Sequence, residues 1–153
     1  MKVRLAHSGD IGAICMLYQK FYEYNAKQQP DYYRFVEESG KYPESVINGN
    51  GGDLYVAETA DGIIGFIHVE EERTEPYPPV VPHKYAYIVD LYVEPEHRRG
   101  GVGKALLESV KGWAKDRGLE YLELLVLDEN LIGRSFYERE NFKPASHKMR
   151  YAL

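Results

Sequence analysis

The stretch HRRGGVGKALL, residues 97–107, places two arginines and three glycines between a strand-like run and a helix-like run. Residues 85–93 before it are mostly apolar, and from Val102 to Trp113 the apolar residues recur at helical spacing. Backbone N–H groups converge where a glycine-rich turn leads from a strand into a helix, and the helix N-terminus adds partial positive charge. The junction therefore predicts a phosphate-binding loop.

Three common phosphate-binding motifs do not fit this junction. The loop of nucleotide hydrolases needs Ser or Thr after Gly-Lys and a glycine five positions before its second glycine, but Ala105 and Arg98 stand there. A dinucleotide fingerprint starting at Gly101 would need its third glycine at Leu106. The kinase glycine-rich loop joins two antiparallel strands, whereas an amphipathic helix follows here. What remains is the pattern Arg98-x-x-Gly101-x-Gly103.

The rest of the sequence predicts a mixed α/β fold. Strands are predicted at residues 3–6, 54–57, 63–69, 85–93, 121–127 and 147–153, and helices at 11–22, 31–39, 44–48, 102–118 and 131–140, with a break at Pro43. Asp61-Gly62 is a strong hairpin signal between the second and third strands. Residues 121–127 are almost continuously apolar, which is typical of a parallel strand covered on both faces. An antiparallel first half joined to a strand–helix–strand unit predicts a mixed antiparallel and parallel sheet flanked by helices.

Composition and charge limit the partners. The chain has 153 residues, 44% of them hydrophobic, and a net charge of -5, which argues against coating nucleic acid or an anionic membrane. No apolar run approaches the roughly 20 residues of a membrane span, and the first residues lack the apolar core of a secretory signal. One cysteine, Cys15, excludes an internal disulfide, and the five histidines show no metal-ligand spacing. We therefore expect a cytoplasmic protein with no metal and no nucleic-acid or membrane partner.

Arg98-x-x-Gly101-x-Gly103 resembles the pyrophosphate-binding signature of the GNAT superfamily, the acetyl-CoA-dependent N-acetyltransferases. The resemblance continues through residues 90–142, with Asn130 and Tyr137 at the usual offsets. It implies a GNAT-like acyl-CoA N-acyltransferase fold, acetyl-CoA as co-substrate, one N-acetyltransferase domain over residues 1–153, and a homodimer. It also implies direct transfer of an acetyl group to a primary amine in a ternary complex.

The resemblance also implies which residues hold the co-substrate. The pantetheine arm is expected along Leu91, Tyr92 and Val93, where a backbone N–H can polarise the thioester carbonyl. The pyrophosphate is expected on the loop formed by Arg98, Arg99, Gly100, Gly101, Val102, Gly103 and Lys104, where glycines admit close backbone approach and the basic side chains supply charge. Asn130 matches a residue that hydrogen-bonds the pantetheine arm, and it is also placed to cap the following helix.

Two residues are candidates for proton transfer. Tyr137 matches the family's general acid, because a phenol with a pKa of about 10 can share its proton with a thiol of pKa about 8.5; the alternative is a core aromatic beside Phe136. Asp90 stands between apolar residues, where burial raises a carboxyl pKa and makes it a usable base. It could equally accept hydrogen bonds from loop amides, with a residue of Glu70–Glu72 or a water chain as the base instead.

The acceptor amine is less defined than the donor. The first half of the chain offers five tyrosines and an acidic run, namely Tyr18, Tyr22, Tyr24, Tyr32, Tyr33 and residues 70–75. Aromatic faces and carboxylates suit a small cationic amine, polyamine-like or aminoglycoside-like. The alternatives are packed tyrosines with a solvated strand end, an acetyltransferase of protein or peptide amines, and a non-catalytic acyl-CoA-binding module.

Overall fold

A five-stranded mixed sheet in the order β1-β2-β3-β4-β5 organises the chain, and the computed structural model describes residues 1–153. Strands β1 to β4 are antiparallel neighbours, and β5 is parallel to β4, which confirms the predicted mixed sheet. The strands are β1 (Lys2–Leu5), β2 (Gly52–Thr59), β3 (Gly62–Arg73), β4 (Lys84–Val93) and β5 (Leu122–Leu124); the helices are α1 (Ile11–Gln28), α2 (Lys41–Ile47), α3 (Val102–Asp116) and α4 (Leu131–Arg139).

Two apolar cores cover the two faces of the sheet. On one face, α3 buries Leu106, Val110 and Trp113 against β2, β3 and β4. On the other face, α1 buries Ile14 and Tyr18 against β3 and β4, and α2 packs on β2. No helix of the structure combines the length and the apolar character needed to cross a bilayer.

A β-bulge in β4 decides which way its acidic residue points. Asp90 pairs with His68 and Ile88 pairs with Val69, so Val89 is an extra residue on β4. Ile88 and Leu91 both pack on the α3 side, although residues three positions apart in a regular strand point to opposite faces. The bulge therefore turns Asp90 onto the α1 face.

Strands β4 and β5 diverge after a short common ladder. β5 pairs with β4 only at Ala86, Tyr87 and Ile88. The edge of β4 that faces β5 consequently has no strand partner over residues 89–93. An open strand edge presents N–H and C=O groups to any extended molecule that enters the gap.

Four sequence predictions about individual elements are wrong. Residues 31–39 form no helix, because the segment is held by side-chain contacts instead: the Glu38 carboxylate accepts hydrogen bonds from Tyr22 Oη and Gly40 N. Pro43 lies inside α2 rather than breaking it, since a proline in the first turn removes an N–H that has no partner there anyway. Residues 147–153 form no strand; Arg150 stacks on Tyr32 instead, 4.0 Å from its ring centre.

The fourth concerns β5, which is three residues long instead of seven. Leu125 is 60% exposed, so the run is not covered on both faces. The apolar residues after Leu124 do not extend the ladder. Leu125, Val126 and Leu127 instead line the gap beside β4.

Candidate active site

The loop between β4 and α3 presents a row of free backbone N–H groups. Arg99 and Gly101 adopt positive φ angles, 63° and 83°, which turn successive peptide planes into the start of α3. The N–H groups of residues 99–104 donate no hydrogen bond to any protein atom. Such a row at a helix N-terminus is an anion site, and only glycine adopts the Gly101 conformation without strain.

The individual residues of this loop differ in packing and exposure. Gly103 also has a packing role, because a Cβ there would lie 3.3 Å from the ring of Phe136 on α4. Arg98 Nε donates to Val93 O at 2.8 Å, and the guanidinium lies near the rings of Tyr24 and Tyr92. Its Nη groups make no hydrogen bond to protein. Arg99, Gly100 and Lys104 are exposed, and Val102 is buried.

A cleft of about 180 Å³ opens where β4 and β5 diverge. Five of the residues singled out from the sequence line it together, namely Tyr33, Asp90, Leu91, Asn130 and Tyr137. Tyr92 and Arg98 instead line a second depression of about 500 Å³ with Lys20 and Glu94, whose side chains form an ion pair. The structure therefore brings both candidate proton-transfer residues into one cleft.

Asp90 is largely buried in that cleft among tyrosines. Tyr18 Oη donates to Asp90 Oδ2 at 3.2 Å. Burial raises the pKa of Asp90 to about 6, the bond from Tyr18 opposes this shift, and the charge of Glu70 adds to it. A carboxylate with this pKa is ionised at neutral pH and is a stronger base than an exposed one.

Tyr137 faces the cleft from α4. Its ring packs edge-on against Phe136 and Phe142, and its hydroxyl makes no hydrogen bond to protein. Burial, and next the charge of Asp90, raise the pKa of Tyr137 above its ordinary value. The phenol therefore keeps its proton at neutral pH, and no protein acceptor occupies its hydroxyl.

Asn130 caps α4, as its position in the sequence predicts. Its Oδ1 accepts from Gly133 N at 2.9 Å and from Tyr24 Oη at 3.0 Å. Both bonds use the oxygen, so the amide Nδ2 remains available as a donor at the cleft wall.

Sequence reasoning missed His68, which lies opposite Asp90 on β3. The side chain is fully buried, with Nδ1 3.0 Å from Tyr42 Oη and Nε2 3.2 Å from Glu70 Oε1. Burial lowers the pKa of His68 to about 4, so the ring is neutral at physiological pH. The feature of the sequence that points to His68 is its position as the one polar side chain in the apolar run of residues 63–69.

Comparison with known proteins identifies this arrangement. The sequence profile of the Acetyltransferase (GNAT) family matches residues 13–142. The chain belongs to this family. GNAT acetyltransferases use acetyl-CoA as co-substrate, which agrees with the open β4 edge and the free N–H row of this GNAT chain.

The GNAT chain has relatives with named activities. Human N-acetyltransferase 8 is 28% identical over 103 residues, 65% of this chain and 42% of that protein. The spermidine N(1)-acetyltransferase of Thermoplasma acidophilum is 31% identical over 91 residues, 59% of this chain and 50% of that protein. The chain thus spans about half or less of the length of these curated relatives.

A solved structure shares the whole fold of the GNAT chain. It is a tetramutant of the BH1408 protein from Bacillus halodurans, with a TM-score of 0.94 over 100% of both chains and 23% sequence identity. At this identity the likeness establishes the fold alone.

Proposed function

We propose that this chain is a single N-acetyltransferase domain that moves the acetyl group of acetyl-CoA to a primary amine by direct transfer in a ternary complex. The observation that supports this most is that Asp90 and Tyr137 line one cleft at the open edge of β4. We propose a small cationic amine, polyamine-like or aminoglycoside-like, as the acceptor. One curated relative is named for spermidine, and Asp90 supplies negative charge in the cleft.

The residues that would hold acetyl-CoA follow the path from α3 to the cleft. The N–H groups of residues 99–104 would hold the diphosphate, with charge from Arg98, Arg99 and Lys104. The unpaired edge at residues 91–93 would pair with the pantetheine amides, and Asn130 Nδ2 would donate to them. When bound, acetyl-CoA supplies an acetyl group activated as a thioester.

Proton transfer would be divided between the two cleft residues. Asp90 would accept the proton of the acceptor's ammonium group, whose own pKa falls on entering a poorly solvated cleft. Tyr137 would donate its phenolic proton to the departing sulfur. A backbone N–H of the open β4 edge would polarise the carbonyl. Cys15 does not line the cleft, and burial raises the pKa of its thiol, so the chain's own thiol takes no part.

The test is thiol release from acetyl-CoA with a panel of amines, comparing the wild type with Tyr137→Phe. We expect Tyr137→Phe to lower kcat by roughly 10²-fold, the usual contribution of a positioned general acid, while the Kd for acetyl-CoA stays within twofold. Tyr151→Phe, in the exposed C-terminal segment, is the matched control. Absence of thiol release with every amine would disprove the enzyme assignment, and full activity of Tyr137→Phe would disprove the acid role.

Cellular location and oligomeric state stay predictions. The cytoplasmic location and the homodimer rest on the resemblance and on composition alone. Light scattering of the purified chain measures the oligomeric state directly, and a monomer at micromolar concentration would contradict the predicted dimer.

A further inference from the structure

One face of the sheet carries carboxylates and tyrosines next to the cleft. Residues paired across neighbouring strands share a face, and the register pairs Glu70 with Tyr87, Tyr87 with Glu123, and Glu72 with Tyr85. Tyr121 stacks on Tyr85 with ring centres 5.0 Å apart. We call these six residues the acidic tyrosine face: Glu70, Glu72, Tyr85, Tyr87, Tyr121 and Glu123.

The acidic tyrosine face is on the same side of the sheet as Asp90. Val69 and Ile88 pack in the core beneath α3, so their neighbours Glu70 and Tyr87 point to the opposite side. That is the α1 side, onto which the bulge also turns Asp90. Glu71, between two members of the face, points to the other side with its partner Ala86.

The carboxylates of the acidic tyrosine face are not neutralised by the protein. No Lys or Arg nitrogen lies within 4.0 Å of Glu70, Glu72 or Glu123, although ion pairs of this length occur elsewhere on the chain. Burial, and next the charge of Glu72, raise the pKa of Glu70. A bound cation would relieve this repulsion, and the tyrosine rings beside the carboxylates also attract cations.

A buried nitrogen without a hydrogen-bond partner lies next to one of these carboxylates, that of Glu70. His68 is fully buried, and its Nε2 makes no hydrogen bond although it lies 3.2 Å from Glu70 Oε1. An unpartnered buried polar atom costs free energy, so its retention calls for a role. Here the nitrogen lies beside the Glu70 carboxylate without a hydrogen bond, and a ligand that reorients Glu70 would complete that bond.

The acidic tyrosine face is continuous with the cleft. Tyr87, the middle residue of its central row, lines the cleft together with Asp90 and Tyr33. Tyr87 and Asp90 pair with Glu70 and His68, which are two residue steps apart on β3, so the two positions are roughly 7 Å apart along the sheet. A molecule of that length reaches from the reacting position to the row of Glu70, Tyr87 and Glu123.

We propose that the acidic tyrosine face binds the second cationic group of a di- or polyamine acceptor, whose first amine reacts between Asp90 and Tyr137. This inference rests on the proposed function. It assigns acceptor preference to charges on β3 and β5, with Glu70, Glu72 and Glu123 attracting the remote ammonium group and Tyr87 of β4 providing an aromatic wall. The acceptor is thereby distinguished from a monoamine by its second charge.

The test compares hexane-1,6-diamine with hexylamine, which share one chain length and differ in the second ammonium group. We expect kcat/KM for the diamine to exceed that for hexylamine by at least tenfold. Glu123→Gln and Glu72→Gln should each lower this ratio by roughly two- to fivefold, as expected for partly exposed charge pairs. Glu71→Gln, on the same strand and the opposite side, is the matched control and should leave the ratio unchanged.

The outcomes separate the two proposals. Thiol release with equal kcat/KM for the two amines would overturn the second-cation site while leaving the acetyltransferase assignment standing. An equal fall of the ratio in Glu71→Gln would also overturn it, because the effect would then be general electrostatics. Absence of thiol release with every amine tested would refute the proposed function itself.

Discussion

Asp90→Asn should make the protein more stable at pH 8 while impairing catalysis. The substitution removes the carboxylate charge but keeps the shape of the side chain and an oxygen that accepts from Tyr18 Oη. An ionised carboxylate buried in the cleft costs free energy in the folded state, and asparagine avoids that cost. A residue kept for its chemistry is expected to show this opposition between stability and activity.

The magnitude follows from the pKa of Asp90, which burial raises from 3.8 to about 6. A folded-state pKa above the unfolded one means that the folded state binds the proton more tightly. The resulting stabilisation is fully present below the unfolded pKa and is lost as pH rises through about 6. Two pKa units correspond to about 3 kcal/mol, an upper value for the gain of Asp90→Asn at pH 8.

Urea unfolding of the wild type and Asp90→Asn at pH 8 and pH 4 measures this gain. We expect the variant to be about 2–3 kcal/mol more stable at pH 8 and to differ by less than about 0.5 kcal/mol at pH 4. Asp61→Asn on the exposed β2–β3 turn is the control, with little change at either pH. Equal stability of Asp90→Asn and the wild type at pH 8 would refute the claim that the Asp90 charge is poorly solvated.

Three further predictions address the site and the scaffold. In the wild type, kcat at saturating acceptor should rise to a plateau through an apparent pKa near 6, and Asp90→Asn should lack this rise; an identical profile would remove Asp90 as the base. Gly101→Val should weaken acetyl-CoA binding, measured by calorimetry, more than tenfold. A φ of 83° strains a β-branched residue by roughly 1–2 kcal/mol, and relief of this strain would distort the N–H row. The control Gly112→Ala, within α3, should bind acetyl-CoA normally. Arg4→Met should destabilise the fold by roughly 1–3 kcal/mol at pH 7, because the Asp10 carboxylate loses its ion pair at 2.7 Å and keeps only the hydrogen bond from His7 N. Arg4 holds the pKa of Asp10 below its usual range, so this deficit in urea unfolding should shrink as pH falls toward 3; a constant deficit would contradict the ion-pair explanation.

Features with local causes were predictable from the sequence. The Asp61-Gly62 turn joins β2 to β3, where Gly62 has a φ of 128°. Helix α3 ends before Gly118, and Asn141 adopts the left-handed conformation after α4. Each of these follows from the preferences of one or two residues, so neighbouring sequence suffices to predict it.

Features that depend on distant partners were not predictable from the sequence. The extra residue at Val89 exists only relative to the pairing partners of β4 on β3, and it alone brings Asp90 to the α1 face. The end of the β4–β5 ladder at Ile88 likewise depends on where the chain after Leu124 packs. The sequence therefore indicates the candidate residues, whereas their meeting in one cleft depends on strand register.

The most direct test of the proposed function is a crystal structure of the chain with acetyl-CoA. We expect the diphosphate on the N–H groups of residues 99–104 and the thioester in the cleft between Asp90 and Tyr137. A diphosphate bound elsewhere, or a thioester outside that cleft, would contradict the assignment of both the donor site and the proton-transfer residues.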